Sequence, residues 1–286
     1  MLQSPISRDL LAAPRYTPNM PRTDTTRFAN VLITGASSGI GAALAAACAR
    51  PAAVLHLCAR NAARLEDVAT TCRARGAVVH TTILDVADTD AMAAWIAAAG
   101  YLNLVVANAG ISAGTGNGRA ESAAQARAIF DVNVIGVLNT VLPALTAIEA
   151  QPEGIDGWRG RVAVIASVAA FVPAPGAPAY CASKSAADAW TVATAAVVRP
   201  RGVLLTSICP GYVRSAMTAR NRFPMPGLMN ADRAAEIILD GLARGRRRIV
   251  FPWWMGLAAR LMGLLPLAIS TRLLNTVAGK DGLAKS

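Results

Sequence analysis

Seven short apolar runs, each separated from the next by a longer helix-forming segment, constrain this chain of 286 residues more than any other feature. They cover residues 31–34, 54–58, 77–83, 102–107, 161–166, 203–209 and 248–251. Most are consecutive aliphatic residues without polar alternation, the pattern of strands buried on both faces. Between them lie alanine-rich stretches with helical periodicity, among them residues 42–50, 63–75 and 90–99. Strands that alternate with helices are joined by right-handed crossovers and run parallel. The expected fold is therefore α/β: a doubly wound, seven-stranded parallel sheet with helices on both faces and ligands at the carboxyl ends of the strands. A hydrophobic content of 54% is enough to bury such a sheet on both sides. The length suits one open α/β unit, and no internal repeat or low-complexity linker divides it.

The first run leads into a turn built on glycine. Val31-Leu32-Ile33-Thr34 is followed by Gly35-Ala36-Ser37-Ser38-Gly39-Ile40-Gly41 and then by Ala42-Ala43-Leu44-Ala45-Ala46-Ala47-Cys48, a strong helix former. A strand, a glycine turn and a helix N-terminus make an anion site. Glycine lets a pyrophosphate approach the backbone, while unpaired N–H groups and the helix dipole favour negative charge. The spacing is Gly-x-x-x-Gly-x-Gly, not the Gly-x-Gly-x-x-Gly of the standard dinucleotide fingerprint. The phosphate reading thus rests on the setting between strand and helix, and a plain tight turn is its alternative.

A second constellation lies downstream. Tyr180 and Lys184, four apart in Tyr180-Cys181-Ala182-Ser183-Lys184, share one face of a helix. A free tyrosine holds its proton to a pKa of about 10, and a nearby cation is expected to lower that value toward the range useful in acid–base work. Ser167, at the end of the fifth run, is placed to hydrogen-bond the oxygen that gains or loses the proton. The alternative for the pair is chance spacing on a solvated helix.

Taken in order, Thr34-Gly35-Ala36-Ser37-Ser38-Gly39-Ile40-Gly41, Asn108-Ala109-Gly110, Asn133, Ser167, Tyr180-x-x-x-Lys184 and Pro210-Gly211 resemble the short-chain dehydrogenase/reductase family over roughly residues 28–251. The resemblance implies a Rossmann-type dinucleotide-binding and catalytic domain over that span, with a mobile substrate lid near 216–230. It implies a catalytic tetrad of Asn133, Ser167, Tyr180 and Lys184, in which Lys184 also holds the nicotinamide ribose. Asn133 would position a water in the proton relay; its alternative is a mid-helix Asn satisfying backbone groups. Cofactor contacts are implied for Gly35, Ser37, Ser38, Gly39, Ile40 and Gly41, for Asp85 and Val86 beside the adenine, and for Asn108, Ala109 and Gly110. Pro210, Gly211, Val213 and Ser215 complete the set, with Ser215 standing where the family usually has threonine. Ala107 likewise replaces the first asparagine of the common Asn-Asn-Ala-Gly.

Cofactor choice is read at the end of the second run, Leu57-Cys58-Ala59-Arg60-Asn61. A ribose with free hydroxyls asks for a carboxylate and a 2′-phosphate asks for a cation. No acid is present there, and Arg60 offers a forked donor, with Ser37 as a further hydroxyl and Arg64 as a weaker candidate. The expectation is NADP(H) over NAD(H). The implied activity is hydride transfer between a nicotinamide and a carbonyl or secondary alcohol, with Tyr180 as general acid/base. One alternative is a non-catalytic NADP-binding regulator, although such proteins commonly lose the tyrosine or lysine. Another is a nucleotide-sugar epimerase or dehydratase, which usually shows Gly-x-x-Gly-x-x-Gly and a larger C-terminal domain.

The ends of the chain differ from this core. Residues 1–27 hold four prolines and no long apolar run, and read as a flexible leader without a secretory signal, with Met20 as a second possible start. Residues 252–286 form an apolar, basic extension. From Gly241 onward eight basic residues face one acid, a net +7 of the chain's +11. Residues 249–269 approach the length of a membrane span, but Pro252, Pro266 and Arg260 argue against a simple crossing. Two readings stand: peripheral contact with an anionic membrane surface, or a helix packed over the substrate site or against another subunit in a homo-oligomer. Met217, Phe223, Met225 and Met229 in the lid stretch suggest an adaptable apolar pocket and a lipophilic substrate. Five scattered cysteines without paired spacing, and only two histidines, point to a reduced, cytoplasmic chain with no metal site. The place of that chain at the inner face of the membrane follows only on the first reading of the tail. A nucleic-acid role is not expected, since the basic excess lies at the termini rather than over the core.

Overall fold

The computed structural model describes residues 28–116, 120–221, 223–274 and 282. The expected leader and the last basic residues, Lys280 and Lys285, lie outside them. All seven strands form one parallel sheet: β1 (Asn30–Thr34), β2 (Val54–Ala59), β3 (Val78–Ile83), β4 (Leu104–Ala107), β5 (Gly160–Ile165), β6 (Val203–Pro210) and β7 (Arg248–Phe251). The spatial order is β3-β2-β1-β4-β5-β6-β7. Winding therefore reverses between β1 and β4, which opens a crevice at their carboxyl ends.

Helices α1 (Gly39–Cys48), α2 (Ala62–Ala74) and α7 (Ala231–Ala243) cover one face. Leu44, Leu65 and Ile238 meet Val31, Ile33 and Leu55 there, all fully buried. Helices α3 (Thr89–Ala98), α4 (Ala123–Phe130), α5 (Gly136–Glu149) and α6 (Pro178–Val198) belong to the rest of the chain between β3 and β6. The second core sets Met92, Ile96, Val141 and Ile148 against Leu32, Val105 and Val162. Strands β1, β4, β5 and β6 are buried almost throughout because helices cover both their sides, which explains their unbroken apolar runs.

Three helices start on side-chain caps. Asn61 accepts from Arg64 N at 2.9 Å, Asp88 from Ala91 N at 3.0 Å and Ser122 from Gln125 N at 3.1 Å. Helix α1 has no side-chain cap and opens directly from the glycine loop. It begins at Gly39, ahead of the expected residue 42, because Gly39 and Gly41 hide the boundary behind low helix propensity.

The apolar C-terminal run is two helices, α8 (Trp253–Leu264) and α9 (Leu267–Leu274). Leu265 between them is extended (φ −69°, ψ 148°), as Pro266 requires of the residue before it. The prolines thus break the run, as expected, and neither helix has the length of a span.

Candidate active site

The carboxyl ends of the strands border one cavity of about 840 Å³. Its floor at the switch point is the loop after β1. Gly35 and Gly39 have left-handed φ values of +64° and +57°, which a side chain resists. Gly41 is needed for space instead: a Cβ there would lie 2.5 Å from both Asn108 Nδ2 and Gly35 O. Asn108 Nδ2 donates to Thr34 O at 2.9 Å and to Gly35 O at 3.0 Å. Thr34 Oγ1 in turn accepts from Asn108 N at 3.0 Å and Ala109 N at 3.1 Å. The loop after β4 is thereby bolted to the glycine loop. Thr34 opens the glycine motif, and its side chain is part of that bolt. A loop kept bare of side chains at Gly35, Gly39 and Gly41, above an uncapped helix start, fits a dinucleotide pyrophosphate.

The other expected cofactor contacts surround the same cavity. Ser37, Ser38 and Ile40 line it beside the glycines, as do Arg60, Asp85 and Val86 at the ends of β2 and β3. Arg60 and Asp85 face each other, with Nη1 and Oδ2 3.5 Å apart and both side chains largely exposed. Such a pair holds little energy of its own, so the guanidinium is available to a phosphate. Pro210, Gly211, Val213 and Ser215 line the opposite wall. A Cβ on Gly39 would sit 3.0 Å from Ser215 Cβ, so Ser215 looks onto the glycine loop. Its hydroxyl accepts from Thr218 N at 3.2 Å.

Ser167, Tyr180 and Lys184 converge on this cavity from β5 and α6. Ser167 ends the strand and caps a 3₁₀ turn at Val168–Phe171, accepting from Ala169 N at 3.1 Å. Tyr180 lies in the first turn of α6, where Glu121 Oε2 accepts from Ala179 N at 2.8 Å. Glu121 anchors the start of this helix across 58 residues and has no motif signature, so sequence reasoning missed it. Farther along α6, Asp188 accepts from Ser207 Oγ at 2.6 Å and from Arg248 Nη2 at 2.8 Å, tying the helix to β6 and β7.

The electrostatics of Tyr180 differ from expectation. Burial is the largest influence and pushes the phenol up to about 12, against a hydrogen bond from Ser167 that pulls it down and Cys181 and Tyr212 that push it further up. Lys184 was expected to acidify the phenol, but its Nζ donates to Ile165 O at 2.8 Å and stands 6.0 Å from the ring centroid. Desolvation outweighs the hydrogen bond from Ser167. The phenol is a proton donor at neutral pH.

Asn133 is held by protein groups. It sits fully buried in a π-helical turn, Asp131–Ile135, between α4 and α5. Its Oδ1 accepts from Ile111 N at 2.9 Å, and its Nδ2 donates to Ile111 O at 2.9 Å and Ser183 Oγ at 3.0 Å. The side chain satisfies backbone groups and clamps the loop after β4 to α6, which is the alternative weighed from the sequence. A Cβ on Gly110 would lie 3.2 Å from Asn133 Oδ1 and 3.4 Å from Lys184 Nζ, so glycine keeps that approach open.

The apolar wall draws on more than the lid stretch. Of the four lid residues singled out, Met217 and Phe223 line the cavity. Met229 is bridged to Val213 and packs on the core, and Met225 Sδ accepts from Asn221 Nδ2 at 3.3 Å. Helix α8 adds apolar surface that the sequence did not assign to the site, since its Trp254, Met255, Ala259 and Met262 line the cavity. A Cβ on Gly211 would lie 2.7 Å from Met255 Sδ, so α8 rests directly on the Pro-Gly turn. The C-terminal helix therefore does pack over the site.

A doubly wound parallel sheet with a glycine cradle at its switch point and a Ser–Tyr–Lys cluster beside it defines a dinucleotide-binding α/β protein. Residues 29–224 match the family model described as short chain dehydrogenase, and the chain belongs to that family. An uncharacterized oxidoreductase of Myxococcus xanthus is 35% identical over 243 residues, covering 84% of this chain and 93% of the relative. A short-chain dehydrogenase from Sphingobium yanoikuyae in complex with NADPH superposes with a TM-score of 0.70 at 25% identity, covering 83% of this chain and 96% of that one. A family member from Burkholderia phymatum in complex with NAD superposes with a TM-score of 0.72 at 23% identity, over 90% and 99% of the two chains, and speaks for the fold alone. The chain is an NAD(P)-dependent oxidoreductase of this family.

Proposed function

We propose that this enzyme interconverts a carbonyl and a secondary alcohol with Tyr180 as general acid/base, prefers NADP(H), and acts on a lipophilic substrate. The observation that carries the reading is the buried Tyr180 phenol, hydrogen-bonded to Ser167 in the cavity that also contains the glycine cradle. The nicotinamide cofactor, when bound, supplies or accepts the hydride. Tyr180, held protonated by burial, gives its proton to the oxygen of a carbonyl as that oxygen becomes an alkoxide. Ser167 orients the same oxygen as a preorganised donor. Lys184, fixed by Ile165 O, would hold a ribose hydroxyl of the bound cofactor and stabilise the phenolate once the proton has left. Asn133 acts as a positioning residue through Ile111 and Ser183. Met255, Ala259 and Met262 exclude water and favour an apolar substrate.

Arg60 supports the NADP(H) preference, because a 2′-phosphate would draw its guanidinium from Asp85. Homo-oligomerisation belongs to the same proposal, with exposed Phe130 of α4, Ile135 of the π-helical turn and Leu142 of α5 as its candidate surface. Tyr180→Phe tests the function, since it removes only the proton-bearing oxygen. Turnover should fall 10²–10⁴-fold, the usual range for an acid–base residue, with NADPH affinity retained. Activity surviving within about tenfold would overturn the role. Cofactor binding with no turnover by the unmodified chain, across a broad carbonyl and alcohol panel, would favour a regulator instead.

A further inference from the structure

We propose that the outer face of α8 and α9 docks on an anionic lipid surface, and that α8 is the passage by which a lipid-borne carbonyl compound reaches the cavity. The second half of this statement rests on the proposed oxidoreductase function; the docking does not.

Helix α8 has three faces with three different surroundings. Gly256 and Gly263 turn it onto the body of the protein: a Cβ on the first would collide with Val250, and one on the second would lie 2.7 Å from Phe171 O. Met255, Ala259 and Met262 line the cavity. Trp253, Leu257, Leu261 and Leu264, spaced i, i+4, i+8 and i+11, share the remaining face. All four are exposed, Trp253 at 73% and Leu264 at 81%. Helix α9 adds exposed Ile269 and Leu273. A contiguous apolar stripe of this kind marks an interaction surface.

Charge selects the occupant. Neither helix contains an acid, while Arg260, which also stacks over the Phe171 ring at 4.7 Å, and Arg272 are exposed on them. A second copy meeting this face about a two-fold axis would bring those arginines toward their own equivalents. Anionic headgroups would neutralise them while tryptophan and leucine enter the acyl boundary. Trp254 connects the surface to the site. It is 42% exposed, it lines the cavity, and a Cβ on Gly227 of the lid stretch would sit 3.0 Å from its ring. An apolar molecule leaving the lipid would thus meet the cavity wall and the lid at one residue.

The test is co-sedimentation of the full chain with phosphatidylcholine vesicles, with and without phosphatidylglycerol, at low and high salt. The full chain should bind the phosphatidylglycerol vesicles and be released by salt. The variant Trp253→Ser/Leu257→Ser/Leu261→Ser, which leaves the cavity lining intact, should partition at least about tenfold less. Its NADPH affinity, measured by fluorescence, should match that of the unmodified chain and so report an intact fold. Equal partition of the two proteins, or no binding to phosphatidylglycerol vesicles at low salt, would overturn the docking. So would a dimer, seen by sedimentation velocity, that the triple variant abolishes in a chain that ignores vesicles. Failure to turn over any ketone or alcohol, whether water-soluble or lipophilic and detergent-solubilised, would refute the oxidoreductase reading and leave the vesicle result standing.

Discussion

Gly41→Ala gives the sharpest test of the cradle. Gly41 lies inside α1 without a left-handed φ, so its replacement probes space rather than backbone conformation. The added Cβ would lie 2.5 Å from Gly35 O and from Asn108 Nδ2. Ordinary contact begins near 3.4 Å, so nearly an ångström of displacement is needed, and one of the obstructing atoms is backbone. Overpacking of that kind costs about 1–3 kcal/mol. Losing the hydrogen bond from Asn108 to Gly35 O adds about 1 kcal/mol. Alanine returns about 1 kcal/mol as the better helix former. The net expectation is a loss of about 1–3 kcal/mol in urea unfolding, with NADPH affinity reduced at least tenfold because the displaced atoms belong to the cradle. Adding Asn108→Ala should rescue stability only partly, since it removes one of the two obstructions and leaves Gly35 O in place. Unchanged stability and unchanged NADPH affinity in Gly41→Ala would refute this account of the loop.

Two further outcomes can be checked with the same preparations. Arg60→Ala should lower kcat/KM for NADPH about 10- to 100-fold, the loss of a charge-assisted contact, with little change for NADH; comparable kcat/KM values for both cofactors in the unmodified enzyme would defeat the preference itself. Stability should fall in alkali, because burial pushes the thiols of Cys48, Cys58 and Cys209 from 9.0 up to about 12. Below pH 9 both states hold these protons; between 9 and about 12 only the folded state does, so the unfolded state gains by about 1.4 kcal/mol per pH unit for each thiol. Cys48→Ala should make that alkaline slope shallower in urea titrations, whatever it does to stability at neutral pH, and an unaltered slope would contradict the assignment.

All seven strands were legible in the sequence to within two residues at either end. A parallel strand covered on both faces must be apolar at consecutive positions, and that pattern is local. The glycine loop was legible for a related reason, since only glycine adopts φ near +60° freely, and Gly35 and Gly39 do so. Three things were not. The acidity of Tyr180 depends on burial against the hydrogen bond from Ser167, a balance that spacing along a helix does not contain. The clamp made by Asn133 depends on Ile111 and Ser183, the latter fifty residues away in sequence. The apolar wall was expected among the lid methionines, and α8 adds Trp254, Met255, Ala259 and Met262 to it.

By itself the order of residues determined the alternation of strand and helix, the anion-binding turn and the composition of the basic tail, because each follows from the covalent and steric preferences of neighbouring residues. Tertiary structure alone decided which groups face one another. It set Ser167 against Tyr180, turned Lys184 to Ile165 O, and laid α8 with one side in the cavity and the other exposed. Desolvation and contact are properties of a site assembled from distant segments, and no local stretch of chain encodes them.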